Sequence, residues 1–477
     1  FMVADRVQVL SKSAYELSNE AILWESSGEE KYKLEQSTKE SNGTDIIIYL
    51  NEDNHEFAEE GRVKFLLEKY SQYINFPLNL ISESGEVNRI NDSEALWLKP
   101  KRSIKDDEYN DFYKFTTFDQ EDPLFWVHNK VEGKNEYTNL LYVPSKPPFD
   151  LWNRESPRGV KLYIQRVFIM DDASHFLPLY LRFVRGIIDT SDLPLNVSRE
   201  ILQEHHLVDT IKKGVTKKIL DSLVALKKDS FDKYKNFWKE YGLVLKEGTA
   251  EDFENKELIA SLLLFSSTYS EKDSPENTLD DYIARMTEDD NKIYYCVADT
   301  YQAAANSPHI EGLKSKGKEV LLLTDRIDEW LMTGLIEYKG KELVNAAKEE
   351  ITEAEQKKVS ESDQDLVSKI KKHLDGKVSE VIVSSRLTDS ASCLVVPKNE
   401  PGAQLRRILE ASGQTMEASN PIFEINSKHK LLKKLKDLKG KQFNSFVDFL
   451  YDYAVIAEGG SPQDPSKYLR QLDKYLS

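Results

Sequence analysis

Hydrophobic and polar residues alternate near the start of the chain with the period of two that is typical of half-buried β-strands. Val7 and Val9 belong to one such run, and residues 46–50 form a second, continuous apolar run. These runs predict that residues 1–78 are the end part of an α/β sandwich. The following stretch, 79–93, is polar from residue 82 onward, which predicts a linker.

Strand-like runs recur between residues 94 and 189, and helical periodicity follows from 198 to 238. Two later apolar runs, 293–297 and 320–323, are separated by enough chain for a helix, so we expect them to pair in parallel. This pattern predicts an α/β middle domain over residues 94–357. Its first strand-like runs are 139–143, 160–170 and 179–188.

The last part of the chain, 358–477, overlaps a Glu- and Lys-rich stretch, 339–372, that predicts an exposed helical connector. A β segment at 378–387 continues at 393–396, and amphipathic helices follow. Short helices of this kind bury little surface alone, so a second copy could complete a bundle. Alternatively, they pack on the preceding sheet. Their apolar stripes lie at 431–438, 446–456 and 468–475.

Length supports this division, because 477 residues exceed what one compact core usually holds. The expected fold is α/β multidomain. It comprises the remnant of an N-terminal α/β sandwich, an α-β-α middle domain, and a mixed α/β C-terminal domain with a helical dimerisation bundle. The opening at Phe1 runs directly into a strand pattern, which predicts that further sequence precedes it.

The charge and cysteine content exclude some functions. A net charge of −17 disfavours nucleic-acid binding. Cys296 and Cys393 lie far apart in apolar stretches, as free thiols do in a reducing compartment, so we expect a cytoplasmic protein. No apolar run reaches the roughly twenty residues that span a bilayer, which predicts no membrane contact.

The segment 192–203 carries the strongest candidate chemistry. Pro194 stops any preceding helix and Ser198 is a good N-cap, so Arg199 and Gln203 would lie one turn apart at a helix start. A cation at the positive end of the helix dipole favours a nearby anion such as a phosphate. The alternative is an ion pair between Arg199 and a surface carboxylate, Glu200 or Asp192.

Other polar clusters point more weakly to a site. His205, His206 and Asp209 contain an i, i+4 His-Asp pair that could start a metal site, but this pair lacks a third ligand and better fits a solvated helix face, so no metal site is predicted. The chain contains no nucleophile-elbow, P-loop or dinucleotide-binding motif. The seven lysines of 428–441 alternate with leucines, as on the wet face of an amphipathic helix; an acidic partner is the alternative.

Two amphipathic segments could bind the apolar surface of other proteins. Trp330 follows a charged turn, and Leu405, Ile408 and Leu409 form a short stripe between glycine-containing turns. Ordinary core packing is the alternative for both segments.

The segment 192–203, together with 168–172 and 180–189, resembles the ninety-kilodalton heat-shock chaperone family, and the short linker resembles its bacterial members. Further matching stretches extend the resemblance to nearly the whole chain. It implies a homodimeric, ATP-dependent chaperone that binds non-native client proteins between its arms and dimerises through its C-terminal domain, with another chaperone system as a possible partner. A nucleotide-independent dimeric scaffold is the alternative function.

The resemblance also implies roles for individual residues. Arg199 and Gln203 match the residues that support ATP hydrolysis, with Arg199 reaching the γ-phosphate, and Thr44 matches a residue of the nucleotide pocket. The family's catalytic glutamate and its Mg-binding asparagine would precede Phe1, so ATP and Mg are expected in the intact protein, and no ATPase activity or cofactor in this chain alone. Thr333 and Pro401 depart from the family pattern. The implied client-binding residues are Glu329, Trp330, Leu405, Ile408 and Leu409.

Overall fold

The computed structural model describes residues 1–477 except 16, 92–93, 134, 156–158, 173, 196–205, 271, 349–359, 397–419 and 477. It divides into two compact units. The first contains Phe1–Val143, Pro157–Phe176 and Val184–Ile211, and the second contains Pro144–Ser156, Leu177–Phe183 and Lys212–Ser477.

The first unit opens with a four-stranded antiparallel sheet in the order β3-β2-β1-β4, followed by helix α1. The two apolar runs predicted as strands are confirmed in β1 and β4. Ile46 and Ile48 are nevertheless exposed on β4. The elements are β1 (Ala4–Lys12), β2 (Glu20–Ser26), β3 (Lys33–Thr38), β4 (Gly43–Leu50) and α1 (Glu60–Ser71).

A small hairpin follows within the stretch predicted as a linker. Strand β5 (Asn79–Ile81) pairs antiparallel with β6 (Val87–Arg89). The Asn91 side chain is buried and accepts a hydrogen bond of 2.8 Å from the Leu78 backbone N–H. The polar sequence therefore forms local structure through main-chain pairing, which needs no large apolar side chains.

The second sheet of this unit has the order β10-β9-β11-β8-β7 and packs with helix α2 around Trp97 and Tyr113. The prediction of a single strand over 160–170 is wrong. Gln165 and Arg166 both adopt positive φ and form a tight turn between two strands, β9 and β10. Residues 179–181 form a 3₁₀ turn instead of the start of a strand. The elements are α2 (Asp106–Thr117), β7 (Phe125–Val131), β8 (Tyr137–Val143), β9 (Val160–Ile164), β10 (Val167–Met170) and β11 (Arg185–Thr190).

Two long helices lead to a five-stranded sheet of the second unit, which has the strand order β12-β14-β13-β16-β15. The parallel pairing of β13 with β14 is confirmed. The elements are α3 (His206–Asp229), α4 (Phe231–Glu251), α5 (Lys256–Leu262), β12 (Ser266–Ser267), α6 (Leu279–Arg285), β13 (Lys292–Val297), α7 (Tyr301–Ala305), α8 (Glu311–Ser315), β14 (Val320–Leu323), α9 (Asp328–Gly334), β15 (Glu337–Tyr338) and β16 (Lys341–Asn345).

The prediction of a helical connector over the charged stretch 339–372 is wrong at the start of that stretch. Residues Lys341–Asn345 form β16, which pairs in parallel with β13 and buries Leu343. Charge patterning alone predicts a helix there, but pairing with an adjacent strand overrides local preference. The end of the stretch is helical, as predicted, in α10 (Glu361–His373).

The end of the chain has a three-stranded sheet, β17-β19-β18, covered by helices. The predicted helices are confirmed, and the apolar stripe of α12 packs on the sheet, since Phe446 and Leu450 belong to the same core as Phe423 and Ile425. Ile456 and Leu469 remain exposed on α12 and α13. The elements are β17 (Glu380–Val383), β18 (Ser392–Val395), β19 (Ile422–Ile425), α11 (Lys430–Asp437), α12 (Gly440–Ala457) and α13 (Pro465–Leu476). No helix among the described residues is long and apolar enough to cross a bilayer.

Candidate functional site

Trp330 lies in the first turn of the short helix α9 and is the most conspicuous apolar side chain of this region. The two following residues, Leu331 and Met332, are buried, whereas Trp330 leaves 39% of its surface exposed. The Thr333 hydroxyl donates a 2.7 Å hydrogen bond to the Trp330 carbonyl. The helix therefore buries one face and presents a large indole on the other, so Trp330 is not simply a core residue.

A buried ionic cluster fixes the turn that precedes this helix. The Lys246 ammonium on α4 lies 2.7 Å from an Asp325 carboxylate oxygen and 2.6 Å from one of Asp328. Burial opposes the charge of Lys246, but the two carboxylates outweigh it and raise its pKa, whereas burial raises the pKa of Asp328 against the pull of Lys246. Lys246 and Asp328 are buried and therefore require a partner of opposite charge, whereas the Asp325 side chain is 43% exposed.

The helix that supplies Lys246 is itself anchored. Its next residue, Glu247, receives two hydrogen bonds of 2.8 Å from the Arg182 guanidinium, and both side chains are largely buried. At the other end of α9, a Cβ on Gly334 would stand 3.3 Å from Ala250, so α9 packs closely on α4. Trp330 is therefore presented from a rigid support.

Glu329 points to a different environment from its neighbour. It lines a small cavity of about 80 Å³ together with His309, Asn345 and Glu458. His309 is buried and its Nε2 lies 2.7 Å from a Glu458 carboxylate oxygen. Cys296 also borders the cavity, and burial raises the pKa of its thiol to about 12, which makes it a poor nucleophile. Glu329 and Trp330 are adjacent in sequence but face different surroundings.

The residues expected near a nucleotide are only partly described. Thr44 lies on β4, where its hydroxyl is 2.8 Å from the Ser11 hydroxyl across the β1-β4 pair. Arg199 and Gln203 lie outside the described residues, as do Leu405, Ile408 and Leu409. The described chain contains no group of three or more His, Cys, Asp or Glu side chains that could hold a metal ion.

A buried carboxylate precedes the 192–203 segment. Asp189, at the end of β11, accepts a 2.8 Å hydrogen bond from the Trp97 indole and a 3.3 Å bond from the Arg166 backbone N–H. Burial raises the pKa of Asp189. These contacts fix the strand end from which the segment departs.

Sequence reasoning overlooked both Lys246 and Asp189. Lys246 lies on α4 directly after Val244 and Leu245 and before Glu247 and Gly248, and all five positions are buried. A charged residue on the buried face of a helix is the signal that could have identified it. Asp189 gave a similar signal, since it ends a strongly apolar strand.

Comparison with known proteins identifies the family. A family model described as Hsp90 protein matches residues 82–477. The chain belongs to the Hsp90 family. The HtpG chaperone of Shewanella sp. (strain MR-7) is 45% identical over 502 residues, which cover 100% of this chain and 79% of that protein. The HtpG chaperone of Coxiella burnetii (strain RSA 331 / Henzerling II) is 45% identical over 497 residues, covering 100% of this chain and 78% of the relative.

Membership in the Hsp90 family confirms the resemblance drawn from segments 168–172, 180–189 and 192–203. This Hsp90 chain is of the bacterial HtpG type and has the mixed α/β multidomain fold of the family. Its function is that of a molecular chaperone, and ATP binding is a general property of the family to which it belongs.

Proposed function

We propose that this chaperone holds non-native proteins at the surface around Trp330. The observation that carries the proposal is the exposed indole on a helix whose supports are buried ion pairs. A large, rigid aromatic side chain gains apolar contact area while losing little conformational entropy on binding. Glu329 beside it, and Leu405, Ile408 and Leu409 farther along the chain, are proposed to extend the client surface.

The same proposal couples client holding to ATP in the full-length protein. Arg199 would stabilise the charge that develops on the γ-phosphate, and Gln203 would support that arrangement. Thr44 would line the nucleotide pocket, and Mg would accompany ATP by neutralising phosphate charge. Both residues precede the described part of helix α3 (His206–Asp229) in the sequence.

We further propose the domain division 1–78, 79–93, 94–357 and 358–477, with the last segment forming a homodimer. Support comes from Ile456 and Leu469, whose apolar side chains stay exposed on α12 and α13. Helical interfaces are typically formed by exposed apolar residues on neighbouring helices. We place the protein in the cytoplasm, with another chaperone system as a partner.

Photo-cross-linking tests the client surface directly. A photoreactive phenylalanine analogue is placed at Trp330 or, as a matched control, at the exposed Phe115 of α2. The chain is then irradiated with a reporter enzyme that is either native or chemically unfolded. We expect cross-links only from position 330 and only to the unfolded reporter. Equal labelling from both positions would contradict a client site at Trp330.

A further inference from the structure

A groove between α10 and the α11-α12 corner is not used by the proposed function. Its volume is about 650 Å³, within the usual size of ligand pockets. Leu366 of α10, Leu438 and Phe443 lie at its base, and all three also pack in the C-terminal core. The floor is therefore apolar and held by the fold.

The rim of this groove is basic. Four lysines line it: Lys369, Lys372, Lys436 and Lys439. Among the described residues, Asp365 is the acidic side chain in the lining. Lys369 already pairs with Asp365 at 2.5 Å.

Two rim lysines remain available for a ligand. Lys436 pairs with Asp363 at 2.7 Å, whereas Lys372 and Lys439 are exposed and have no ion-pair partner within the described parts of the chain. Their charges stand at the edge of an apolar floor, where an approaching carboxylate would be partly desolvated and therefore more strongly attracted.

Charge contrast makes this surface unusual. The whole chain has a net charge of −17, yet residues 428–441, which contribute one wall of the groove, contain seven lysines and one aspartate. A basic concavity on an acidic protein attracts a partner of opposite local charge over a distance that salt shortens.

We propose that the groove binds an acidic segment of a partner protein that carries at least one large apolar side chain. The lysines receive the carboxylates, and the apolar side chain covers Leu438 and Phe443. A phosphate backbone lacks the apolar group that such a floor favours, and a membrane surface is too flat to enter a concave groove. An amphipathic acidic peptide matches both the charge and the shape.

Fluorescence anisotropy with the full chain tests the proposal. The probe is a labelled twelve-residue peptide of glutamates and leucines. The test variant is the pair Lys372→Glu and Lys439→Glu. The matched control is the pair Lys433→Glu and Lys441→Glu, which makes the same change in net charge at exposed lysines that do not line the groove.

We expect the test variant to weaken peptide binding at least about tenfold and the control to weaken it less than about threefold, with weaker binding at higher salt. A second variant, Leu438→Asn, is expected to weaken binding while leaving the rim charges intact, with unfolding followed in parallel. Equal losses in test and control variants would overturn the groove as the site.

Two further outcomes would assign the groove to another occupant. In the first, a labelled single-stranded oligonucleotide binds as tightly as the peptide and loses the same affinity in the test variant. That result would contradict the proposal that the groove binds a protein segment. Loss of self-association in the test variant would make the occupant a second copy of this chain. Peptide binding with unchanged mass supports the proposal.

Discussion

The proposed client binding depends mainly on the Trp330 side chain. We predict that Trp330→Arg lowers protection of a heat-denatured reporter enzyme at least about threefold, because a charge replaces the apolar anchor. Light scattering of the reporter measures the loss. ATP turnover of the full-length protein should stay within about twofold, and Phe115→Arg serves as the surface control. Undiminished protection would remove Trp330 from the client surface.

Arg199 carries the proposed link to ATP. In the full-length protein, we predict that Arg199→Ala costs on the order of 3 kcal/mol of transition-state stabilisation, which is the scale of one preorganised charge-stabilising group. Steady-state ATP hydrolysis measures this, with nucleotide affinity measured separately. Arg199→Lys should recover only part of the rate, because an ammonium lacks the planar fork of a guanidinium. Unchanged turnover would disprove the role.

His128 makes the first unit sensitive to acid. It is buried, with Nδ1 2.7 Å from the Tyr109 hydroxyl and Nε2 2.8 Å from the Trp97 carbonyl oxygen. Because a carbonyl only accepts, Nε2 carries the proton and Nδ1 accepts from Tyr109. Burial lowers the pKa of His128 below its ordinary value of 6.5.

The unfolded histidine therefore binds a proton more readily than the folded one, so the associated stability is present above pH 6.5 and is lost as pH falls below it. Urea unfolding of the first unit at about pH 8 and about pH 5.5 should show this loss. His128→Gln keeps a donor for Trp97 and should reduce the difference between the two midpoints. An identical pH dependence in both proteins would exclude His128 as the cause.

Among the secondary-structure elements, α9 depends most clearly on a distant support. We predict that Lys246→Met destabilises the second unit by about 3–5 kcal/mol, because it leaves Asp325 and Asp328 without their buried cation. Denaturant unfolding measures the change, with Lys239→Met, an exposed lysine on the same helix, as the control. Hydrogen exchange should show faster exchange in α9. Equal stability of the two variants would mean that the ion cluster contributes nothing net.

The whole molecule is proposed to work as a homodimer. We predict a solution mass near twice 55.0 kDa and an increase of at least about tenfold in the dimer dissociation constant for Leu469→Glu, which is about 1.4 kcal/mol. Light scattering over a dilution series measures both. Leu17→Glu, in the first unit, should leave the mass unchanged. A monomer at every concentration would contradict the proposed C-terminal dimer.

The apolar runs and the apolar periodicity of the sequence were sufficient to predict the strands β1, β4 and β8, the parallel pair β13-β14, and the C-terminal helices, although β4 leaves Ile46 and Ile48 exposed. The 192–203 segment, together with two neighbouring motifs, was sufficient to predict the family. These features are local in sequence, so no distant contact is needed to recognise them.

Only the tertiary structure decided features that depend on distant partners. Lys341–Asn345 became a strand because β13 offers an edge, and 160–170 broke into two strands at the turn of Gln165 and Arg166. Lys246 became a support of α9 because the fold brings Asp325 and Asp328 to it across about eighty positions of chain. Burial and pairing are properties of the assembled chain, and a single residue's chemistry specifies neither.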